Sequence, residues 1–527
     1  MITQAKNTYL SQPKKGQGAR AMLMTVAALL DKTRLILVLI FLVALSSLQL
    51  VDPDYFRHLK TGEYIVSNNR LPSGDIFSYT RFGQHWVLHE WLFEVLLYSV
   101  FSLGGEVGVK LMTAIFLMCT LSLLLVITQR ISRSAAAAMG VTMMALIPLL
   151  GGIAPRPQLV TYAFFTIFLF GLLSFKYCQT KISWFLMPLL MIVWVNAHGG
   201  FVIGIALVGL FTGCEWLVYW INGVDAPAQR QRLARLTKIA SVTVLASLVN
   251  PGFLTHWLYP FQVLGMAANH VIQEWQSPNF HDFGPQCYLL LVLVFFASYA
   301  CADQRPDATE LLLPGFFIVA GFVSMRHMPL AALSLTPFTA RYLSGAIAAV
   351  FSAWQGSGLG RRYRKWSGAR QLGGSEFILN WLVLLVVLAA LVGFAPVFQA
   401  REQLQANKRL PIGATNYVLA HSITGNMFND YGDGGYLIYR FAPTRRIFID
   451  GRADLYGDQF VFDFLDIYQG KANWKEKFDR LSIDYAIVGN DAPIRQLLKA
   501  DPAFREVFVG LNHSVVVRSV GRESSAH

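Results

Sequence analysis

The stretch LILVLIFLVALSSLQLVDPDYFRHLKTGEYI, residues 35–65, joins a mostly apolar run to a segment rich in ionisable side chains. Its first part, 35–51, is close to the roughly 20 apolar residues that an α-helix needs to cross a bilayer. Two carboxylates, an arginine, a histidine and a lysine follow between residues 52 and 60. The stretch therefore predicts a membrane span that opens directly into a polar segment equipped for chemistry.

The whole chain of 527 residues extends this pattern, because 54% of its residues are hydrophobic and only 14% are charged. Such a composition excludes an ordinary soluble domain and predicts a polytopic membrane protein. The net charge of +13 resides in short loops, so nucleic acid is not an expected partner. The five cysteines lie in or beside apolar runs without a C-x-x-C pair, so we expect no disulfide framework and no cysteine metal site.

Apolar runs of suitable length predict an all-α membrane domain of about eleven transmembrane helices within 35–397. A basic cytoplasmic segment, 1–34, precedes it, and a small C-terminal α/β domain, 398–527, follows it. No small-residue cleavage site follows the first run, so we expect that run to be retained. The predicted spans are 35–51, 107–127, 135–153, 158–175, 182–196, 201–220, 238–250, 287–302, 310–325, 328–350 and 376–396.

Lysine and arginine predict the orientation, because they accumulate in cytoplasmic loops. With these spans, every second loop is basic, and the longest of these loops holds Arg361, Arg362, Arg364, Lys365 and Arg370. The amino end is therefore predicted on the cytoplasmic side of the membrane and the C-terminal domain on the outer side. The first outer loop, 52–106, is called loop 1 below.

Residues 88–104 of loop 1 (LHEWLFEVLLYSVFSLG) are apolar enough to resemble another span. A full crossing there would place the later basic clusters outside, against the distribution of lysine and arginine. We therefore expect a helix that lies along the outer interface, with Trp86 and Trp91 at the level of the lipid headgroups.

The start of loop 1 carries the candidate catalytic carboxylates, Asp52 and Asp54. A carboxylate at the membrane surface can accept a proton from a sugar hydroxyl or bind a divalent cation. The Asp-Pro-Asp sequence can equally serve only to cap a helix. Candidate binding residues in the same loop are Arg57, His58, Lys60, His89 and Glu90.

The remaining outer loops are short, and each carries a polar group that is unfavourable near lipid. All eleven histidines fall on the predicted outer side of the membrane. Cations that converge there are suited to a lipid-linked phosphate, although snorkelling explains any single one of them. The candidate binding residues of these loops are Arg156, Asn196, His198, His270, Glu274, Arg326 and His327.

Several motifs together resemble one family. They are D-x-D-x-x-x-H-x-x-x-G (52–62), P-x-x-D-x-F-S-Y-T (72–80), G-x-x-W (83–86), H-E-W-L (89–92), W-x-N-x-H-G-G-F (194–201) and F-I-D-G-R-A-D-L-Y-G (448–457). The chain is similar to bacterial multi-spanning glycosyltransferases of the GT-C superfamily. The resemblance implies a polyprenyl-phosphate sugar donor, an extracytoplasmic site and an acidic base in loop 1, and it leaves the choice between Asp52 and Asp54 open.

The C-terminal segment has the alternation of an α/β unit. We expect strands at 425–429, 445–450, 484–489 and 513–519, and helices at 458–468, 473–481 and 492–499. The Gly-rich sequence 429–441 lacks the spacing of a phosphate loop and predicts a tight turn that opens a helix. Asp450, Arg452 and Asp454 follow a predicted strand end, where either acceptor binding or packing onto the membrane domain would explain them.

These observations predict a membrane glycosyltransferase that moves a sugar from a polyprenyl-phosphate donor to a glycan, lipid or protein acceptor. Asp54 or Asp52 would be the base, and Arg57, Arg156, His198, Arg326 and His327 would neutralise the leaving phosphate. An inverting displacement suffices, and a divalent cation at Asp52 and Asp54 is compatible but not required. A flippase for a lipid-linked sugar and a glycan ligase or polymerase are the alternative functions.

Overall fold

The computed structural model describes residues 52–180, 185–223, 226–302, 304–356, 397 and 399–519. The segment 1–34 and the predicted spans 35–51 and 376–396 lie outside the described residues. Eleven helices precede residue 357 in the described part. They are α1 (Pro53–Asn68), α2 (Trp91–Ser132), α3 (Ala135–Leu150), α4 (Gln158–Cys178), α5 (Leu186–Ala197), α6 (Phe201–Asn222), α7 (Pro227–Ala246), α8 (Leu254–Leu264), α9 (Phe283–Ala300), α10 (Ala308–Val323) and α11 (Met328–Gly356).

Four of these helices, α2, α4, α6 and α9, are long and apolar enough to cross a membrane, and α3, α5 and α10 are shorter apolar helices. The chain is therefore a multi-pass membrane protein. The described helices do not establish the predicted count of eleven crossings. Predicted span 238–250 overlaps the end of α7, which begins earlier at Pro227 and includes the basic residues of the preceding predicted loop.

Helix α2 changes direction at Gly105, whose backbone angles of φ 56° and ψ −149° are not helical. Glycine tolerates this conformation because it has no Cβ. The predicted helix at 88–104 is thus separated from the predicted span that begins at 107. Trp86 does not lie at a headgroup surface, however, because it is 6% exposed and packs between Phe77 and the guanidinium of Arg452.

Helix α11 lies at the centre of the helical part and packs against α2, α3, α9 and α10. Its segment 330–340 is fully buried, and the buried hydroxyls of Thr336 and Thr339 donate to backbone carbonyls one turn earlier. Helix α1 packs closely on α2 at Gly62, where a Cβ would lie 2.0 Å from the carbonyl oxygen of Glu94. The glycine of the D-x-D-x-x-x-H-x-x-x-G motif therefore brings the polar face of α1 against the start of α2.

Residues 399–519, the C-terminal unit, contain a four-stranded sheet of order β1-β2-β4-β3 with one parallel and two antiparallel pairings. Its strands are β1 (Met427–Asn429), β2 (Tyr485–Gly489), β3 (Phe504–Val509) and β4 (His513–Arg518), and its helices are α12 (Ile412–Ala420), α13 (Gly434–Phe441), α14 (Ala453–Tyr456), α15 (Asp458–Tyr468), α16 (Trp474–Arg480) and α17 (Pro493–Ala500). The three predicted helices and the turn opening α13 are present. Strand β3 was not predicted.

The predicted strand 445–450 does not join this sheet. It instead forms a single bridge, in which Ile447 donates to Phe77 at 3.0 Å and Tyr79 donates to Ile447 at 3.0 Å. Phe77 and Trp86 of loop 1 share a hydrophobic core with Met427 and Ile447 of the C-terminal unit. Loop 1 and the C-terminal unit are therefore packed together, and both reach the cavity described next.

Candidate active site

The two carboxylates of the D-x-D sequence have different environments. Asp52 is the N-cap of α1 and accepts a hydrogen bond from the backbone N–H of Asp54 at 3.0 Å, with Pro53 in the first turn. Asp54 lies inside that first turn, where the helix dipole favours a carboxylate. The side chain of Asp54 is 30% exposed and that of Asp52 is 19% exposed. The capping role anticipated for this sequence thus falls to Asp52.

Arg156, from the turn before α4, binds three carboxylates. Its Nε lies 2.6 Å from Asp52 Oδ2, one terminal nitrogen lies 3.2 Å from Asp54 Oδ2, and the other lies 2.8 Å from Glu274 Oε1. Burial opposes its charge, but the carboxylates of Asp54, Asp52 and Glu274 raise the pKa of Arg156 well above its usual value. Arg156 is therefore a fixed cation whose charge is already matched, and it holds Asp54 in place.

These groups border a cavity of about 560 Å³. Its wall combines loop 1, the loops around Arg156, His198 and Arg326, the segment 259–275 and the C-terminal unit. Predicted site residues in the wall are Asp54, Arg57, His58, His89, Glu90, Arg156, His198, Glu274, Arg326 and His327. The fold thus brings ten of the predicted residues to one cavity, although they are up to 273 residues apart along the chain, from Asp54 to His327.

Four predicted residues, all within the described ranges, do not contribute to this wall. Asp52 is occupied by the cap and by Arg156. Lys60 pairs with Glu63 at 2.7 Å on α1. Asn196 accepts from the Trp91 indole at 3.0 Å and donates to the carbonyls of residues 192 and 249, so it joins helices. His270 ends a 3₁₀ turn and is exposed.

Behind the cavity lies a buried polar network. His58 Nδ1 lies 3.0 Å from Glu94 Oε1, and His58 Nε2 lies 3.0 Å from an Arg57 nitrogen. Arg57 also approaches Glu94 at 3.6 Å and Glu90 at 3.9 Å. Burial and Arg57 hold the pKa of His58 well below its usual value. Sequence reasoning missed Glu94, because a carboxylate inside an apolar helix gives no local signal of its partner 36 residues earlier.

Two further histidines of the wall are also neutral near pH 7. Burial and Arg326 lower the pKa of His198 to about 3 and that of His327 to about 4. These side chains can donate or accept hydrogen bonds, but they are not the cations that the loop pattern predicts. His89 differs, because burial opposes its charge but Glu90, Asp454 and the carbonyl of Val87 together raise the pKa of His89.

Arg326 is the cation of the wall that is least compensated by nearby carboxylates. Its side chain is 31% exposed, and its nearest carboxylate oxygen, from Glu274, is 3.7 Å away and belongs to a group already bound to Arg156. The guanidinium lies 5.0 Å above the ring of Trp275, which orients it without neutralising it. A multiply charged anion in the cavity would therefore bind most strongly near Arg326.

The C-terminal unit supplies part of the wall that the sequence did not assign to the site, including Tyr431, Gly451, Arg452 and Asp454. Arg452 is buried and binds Asp450 at 2.5 Å and Asp75 of loop 1 at 2.8 Å. The motif F-I-D-G-R-A-D-L-Y-G thus joins the C-terminal unit to loop 1. The sequence indicated this motif only by its position after an apolar, strand-like segment. That position is compatible both with packing onto the membrane domain and with binding of an acceptor.

Two glycines allow this close approach. A Cβ on Gly451 would lie 2.7 Å from Asp54 Oδ1, and a Cβ on Gly435 would lie 2.1 Å from the carbonyl oxygen of Pro53. Both distances are below ordinary van der Waals contact. The C-terminal unit therefore rests directly on the first turn of α1 and fixes the position of the Asp54 carboxylate.

One group of side chains in the described residues has the donor set of a metal site. His58, Glu90 and Glu94 each offer a ligand atom, and these atoms lie within 4.8 Å of one another. Oε2 of Glu94 has no hydrogen-bond partner among the described residues. The three residues could therefore hold a divalent cation, in competition with Arg57 for the same carboxylates. Asp52 and Asp54 are instead bound to Arg156, which already supplies positive charge there.

No protein-family model and no curated protein sequence matches the chain. Its structure is similar to that of the Archaeoglobus fulgidus oligosaccharyltransferase tethered with an acceptor peptide, with a TM-score of 0.55 and 11% identity over 88% of this chain and 70% of that chain. AglB of the same organism, in complex with an inhibitory peptide and a dolichol-phosphate, gives a TM-score of 0.52 and 11% identity over 86% and 69%. ArnT from Cupriavidus metallidurans bound to undecaprenyl phosphate gives a TM-score of 0.47 and 15% identity over 95% of this chain and 98% of that chain. The two oligosaccharyltransferase structures show that this chain shares their fold.

Proposed function

We propose that this protein is a glycosyltransferase that moves a sugar from a polyprenyl-phosphate donor to a glycan, lipid or protein acceptor. The observation that carries the proposal is that an accessible carboxylate, Asp54, and an accessible cation, Arg326, face the same cavity. The shared fold with an oligosaccharyltransferase bound to dolichol-phosphate supports a lipid phosphate as the donor. The distribution of lysine and arginine supports a site on the outer side of the bacterial cytoplasmic membrane. The same distribution supports placing residues 398–527 on that side.

Asp54 is the better base of the two candidates. Asp52 uses its oxygens for the helix cap and for two nitrogens of Arg156. Asp54 has one contact with Arg156 and a more exposed side chain, so an oxygen remains free for an acceptor hydroxyl. A general base must reach the proton that it removes, and a positioned base typically contributes about 10²–10⁴-fold in rate.

The displacement balances with these groups. Asp54 removes the proton of the acceptor hydroxyl, the acceptor oxygen bonds to the anomeric carbon, and the bond from that carbon to the phosphate oxygen breaks. The phosphate leaves with the electron pair and gains one negative charge, which Arg326 stabilises. The neutral histidines His198 and His327 can donate hydrogen bonds to the same oxygens. A single displacement of this kind inverts the anomeric carbon.

The cavity also has an apolar wall suited to the first isoprene units of a donor. Val202, Ile203, Val263, Leu264 and Leu330 line it. Burying apolar surface contributes about 25 cal/mol per Å², so several isoprenyl carbons would add measurably to affinity. No step of this scheme requires a metal, although the cluster of His58, Glu90 and Glu94 could add positive charge behind the base if it bound a divalent cation.

The test uses purified protein in lipid nanodiscs with farnesyl phosphate linked to glucose, galactose, mannose or arabinose. A bacterial envelope glycan fraction supplies acceptors, and released farnesyl phosphate is measured with and without EDTA. We expect Asp54→Asn to reduce release at least 100-fold and Asp52→Asn to reduce it less, with melting temperatures close to that of the wild type. Full activity of Asp54→Asn would exclude this residue as the base. Movement of the labelled lipid across vesicles without release would favour the flippase alternative.

A further inference from the structure

Asp454 is another carboxylate of the cavity wall that has no part in the proposed displacement. Asp454 lies in α14 of the C-terminal unit and lines the cavity. Tyr259, from α8, lies beside the Asp454 carboxylate in the same cavity wall, and its hydroxyl favours the charged form of that carboxyl. The imidazole of His89 stacks on the Tyr259 ring, with centroids 4.2 Å apart and planes 34° apart. Three distant segments of the chain thus converge on one small polar surface.

No salt bridge among the described residues includes Asp454. The nearest arginine in sequence, Arg452, is already bound to Asp450 and Asp75. Holding a carboxylate in a cavity wall without a paired cation is unfavourable unless its remaining lone pairs find donors. Among the described residues His89 and Arg452 favour the charged form of Asp454, but neither forms a salt bridge with it, so a ligand in the cavity can supply donors to its remaining lone pairs.

The surroundings of Asp454 favour neutral hydroxyl donors. Burial and Asp454 raise the pKa of Tyr259 well above its usual value, so the phenol stays protonated and remains a neutral hydrogen-bond donor beside Asp454. Glu90 raises the pKa of His89, which adds positive charge beside the carboxylate and disfavours a cationic ligand. Neighbouring hydroxyls of a sugar ring are spaced so that they can donate to the two oxygens of one carboxylate.

We propose that Asp454, oriented by Tyr259, accepts hydrogen bonds from the hydroxyls of a sugar ring and makes the C-terminal unit a determinant of sugar selection. This inference rests on the proposed function for the nature of the ligand. The sugar can belong to the donor lipid or to the acceptor glycan, because both present the same hydroxyl chemistry. Asp454 is a specificity residue in this scheme, whereas Asp54 carries out the proton transfer.

The experiment measures binding to the full-length protein in nanodiscs with three kinds of probe. They are farnesyl phosphate without a sugar, farnesyl phosphate linked to each sugar of the panel above, and the corresponding methyl glycosides. The variants are Asp454→Asn, Tyr259→Phe and the control Asp463→Asn. Asp463 pairs with Lys477 on the same unit, outside the cavity wall. Melting temperatures confirm folding, and Tyr259→Phe tests the same surface if Asp454→Asn is unstable.

We expect Asp454→Asn to weaken at least one sugar-bearing probe by about 10-fold or more, because a carboxylate offers two acceptor oxygens to the sugar hydroxyls and an amide offers only one. Tyr259→Phe should weaken the same probe to a smaller extent, and sugar-free farnesyl phosphate should change less than twofold. A loss with the sugar-linked lipid assigns the surface to the donor, and a loss with the methyl glycoside alone assigns it to the acceptor. Unchanged binding of all sugar probes, or an equal loss with sugar-free farnesyl phosphate, would overturn the inference.

The two proposals fail in distinguishable ways. If the wild type binds no farnesyl phosphate and releases none from any sugar-linked donor, the proposed function is lost. Weakened binding of a methyl glycoside by Asp454→Asn would then still support the sugar surface. If donor turnover is normal in Asp454→Asn and every sugar probe binds as to the wild type, the sugar surface is lost and the proposed function stands.

Discussion

Replacing Gly451 by alanine would place a methyl group against the carboxylate that we propose as the base. The new Cβ would lie 2.7 Å from Asp54 Oδ1, about 0.7 Å inside the closest ordinary contact between a carbon and an oxygen atom. The carboxylate or the C-terminal unit must therefore move by about that distance. Asp54 is held by Arg156 at 3.2 Å, so the displacement would also lengthen or rotate this ion pair.

A misplacement of about 1 Å can reduce an enzymatic rate by about 100-fold. For about 0.7 Å we expect sugar release to fall by about 10- to 100-fold in Gly451→Ala. Gly451 is exposed and the clash is with the end of a side chain, so the melting temperature should change little. Binding of sugar-free farnesyl phosphate should change less than release, because Arg326 is not displaced.

The assay is farnesyl phosphate release under saturating donor, together with a melting curve for each variant. Gly489→Ala is the matched control, because a Cβ on Gly489 meets nothing within 4 Å and this residue lies on the same sheet-bearing unit. The control should retain the activity of the wild type. Wild-type release from Gly451→Ala would refute the contact between Gly451 and a catalytic Asp54.

Two further predictions concern the C-terminal unit. Arg452→Met leaves the buried carboxylates of Asp75 and Asp450 without their cation and should lower the free energy of unfolding by about 3–5 kcal/mol. A denaturant titration measures this loss against the exposed control Arg505→Met. An equal effect of both variants would contradict the role of Arg452. Burial and Asp433 raise the pKa of Asp430 from 3.8 to about 6. The unfolded chain therefore loses this proton at a lower pH than the folded protein, so the free energy of unfolding falls between pH 4 and pH 6 and the whole loss is present above pH 6. Asp430→Asn should therefore raise the free energy of unfolding by up to about 3 kcal/mol at pH 7.5 and by almost nothing at pH 4, whereas an equal gain at both pH values would contradict titration of this carboxyl.

Much of the fold could be predicted because its signals are local. The apolar runs predict membrane helices, the Asp-Pro-Asp sequence predicts the start of α1, and the Gly-rich sequence 429–441 predicts the turn before α13. Segment 445–450 misled the prediction, since its apolar pattern suits a strand and its observed partner is loop 1. Strand β3 was missed because its half-buried pattern depends on pairing with β4.

The sequence predicted which kinds of residue form the candidate site, but it did not predict which side chains contact one another. The sequence indicated that carboxylates, arginines and histidines recur on the loops of one side, and ten of the predicted residues do line one cavity. It could not distinguish Asp52 from Asp54, because that distinction arises from Arg156, about 100 residues away in the chain. It also gave no means to see that burial leaves His198 and His327 neutral.

The sequence by itself therefore determined the class of the protein, the polar loops and the chemical groups available in them, because hydropathy and charge act through neighbouring residues. The tertiary structure alone decided which of the two aspartates is less engaged by Arg156, which arginine is least compensated by carboxylates, and that Asp454 and Tyr259 meet at the same cavity. The physical reason is that ionisation and hydrogen bonding depend on distances of a few ångströms in space. Those distances are set here by the packing of loop 1 against the C-terminal unit, through contacts that span more than 300 residues of chain, such as that of Tyr79 with Ile447.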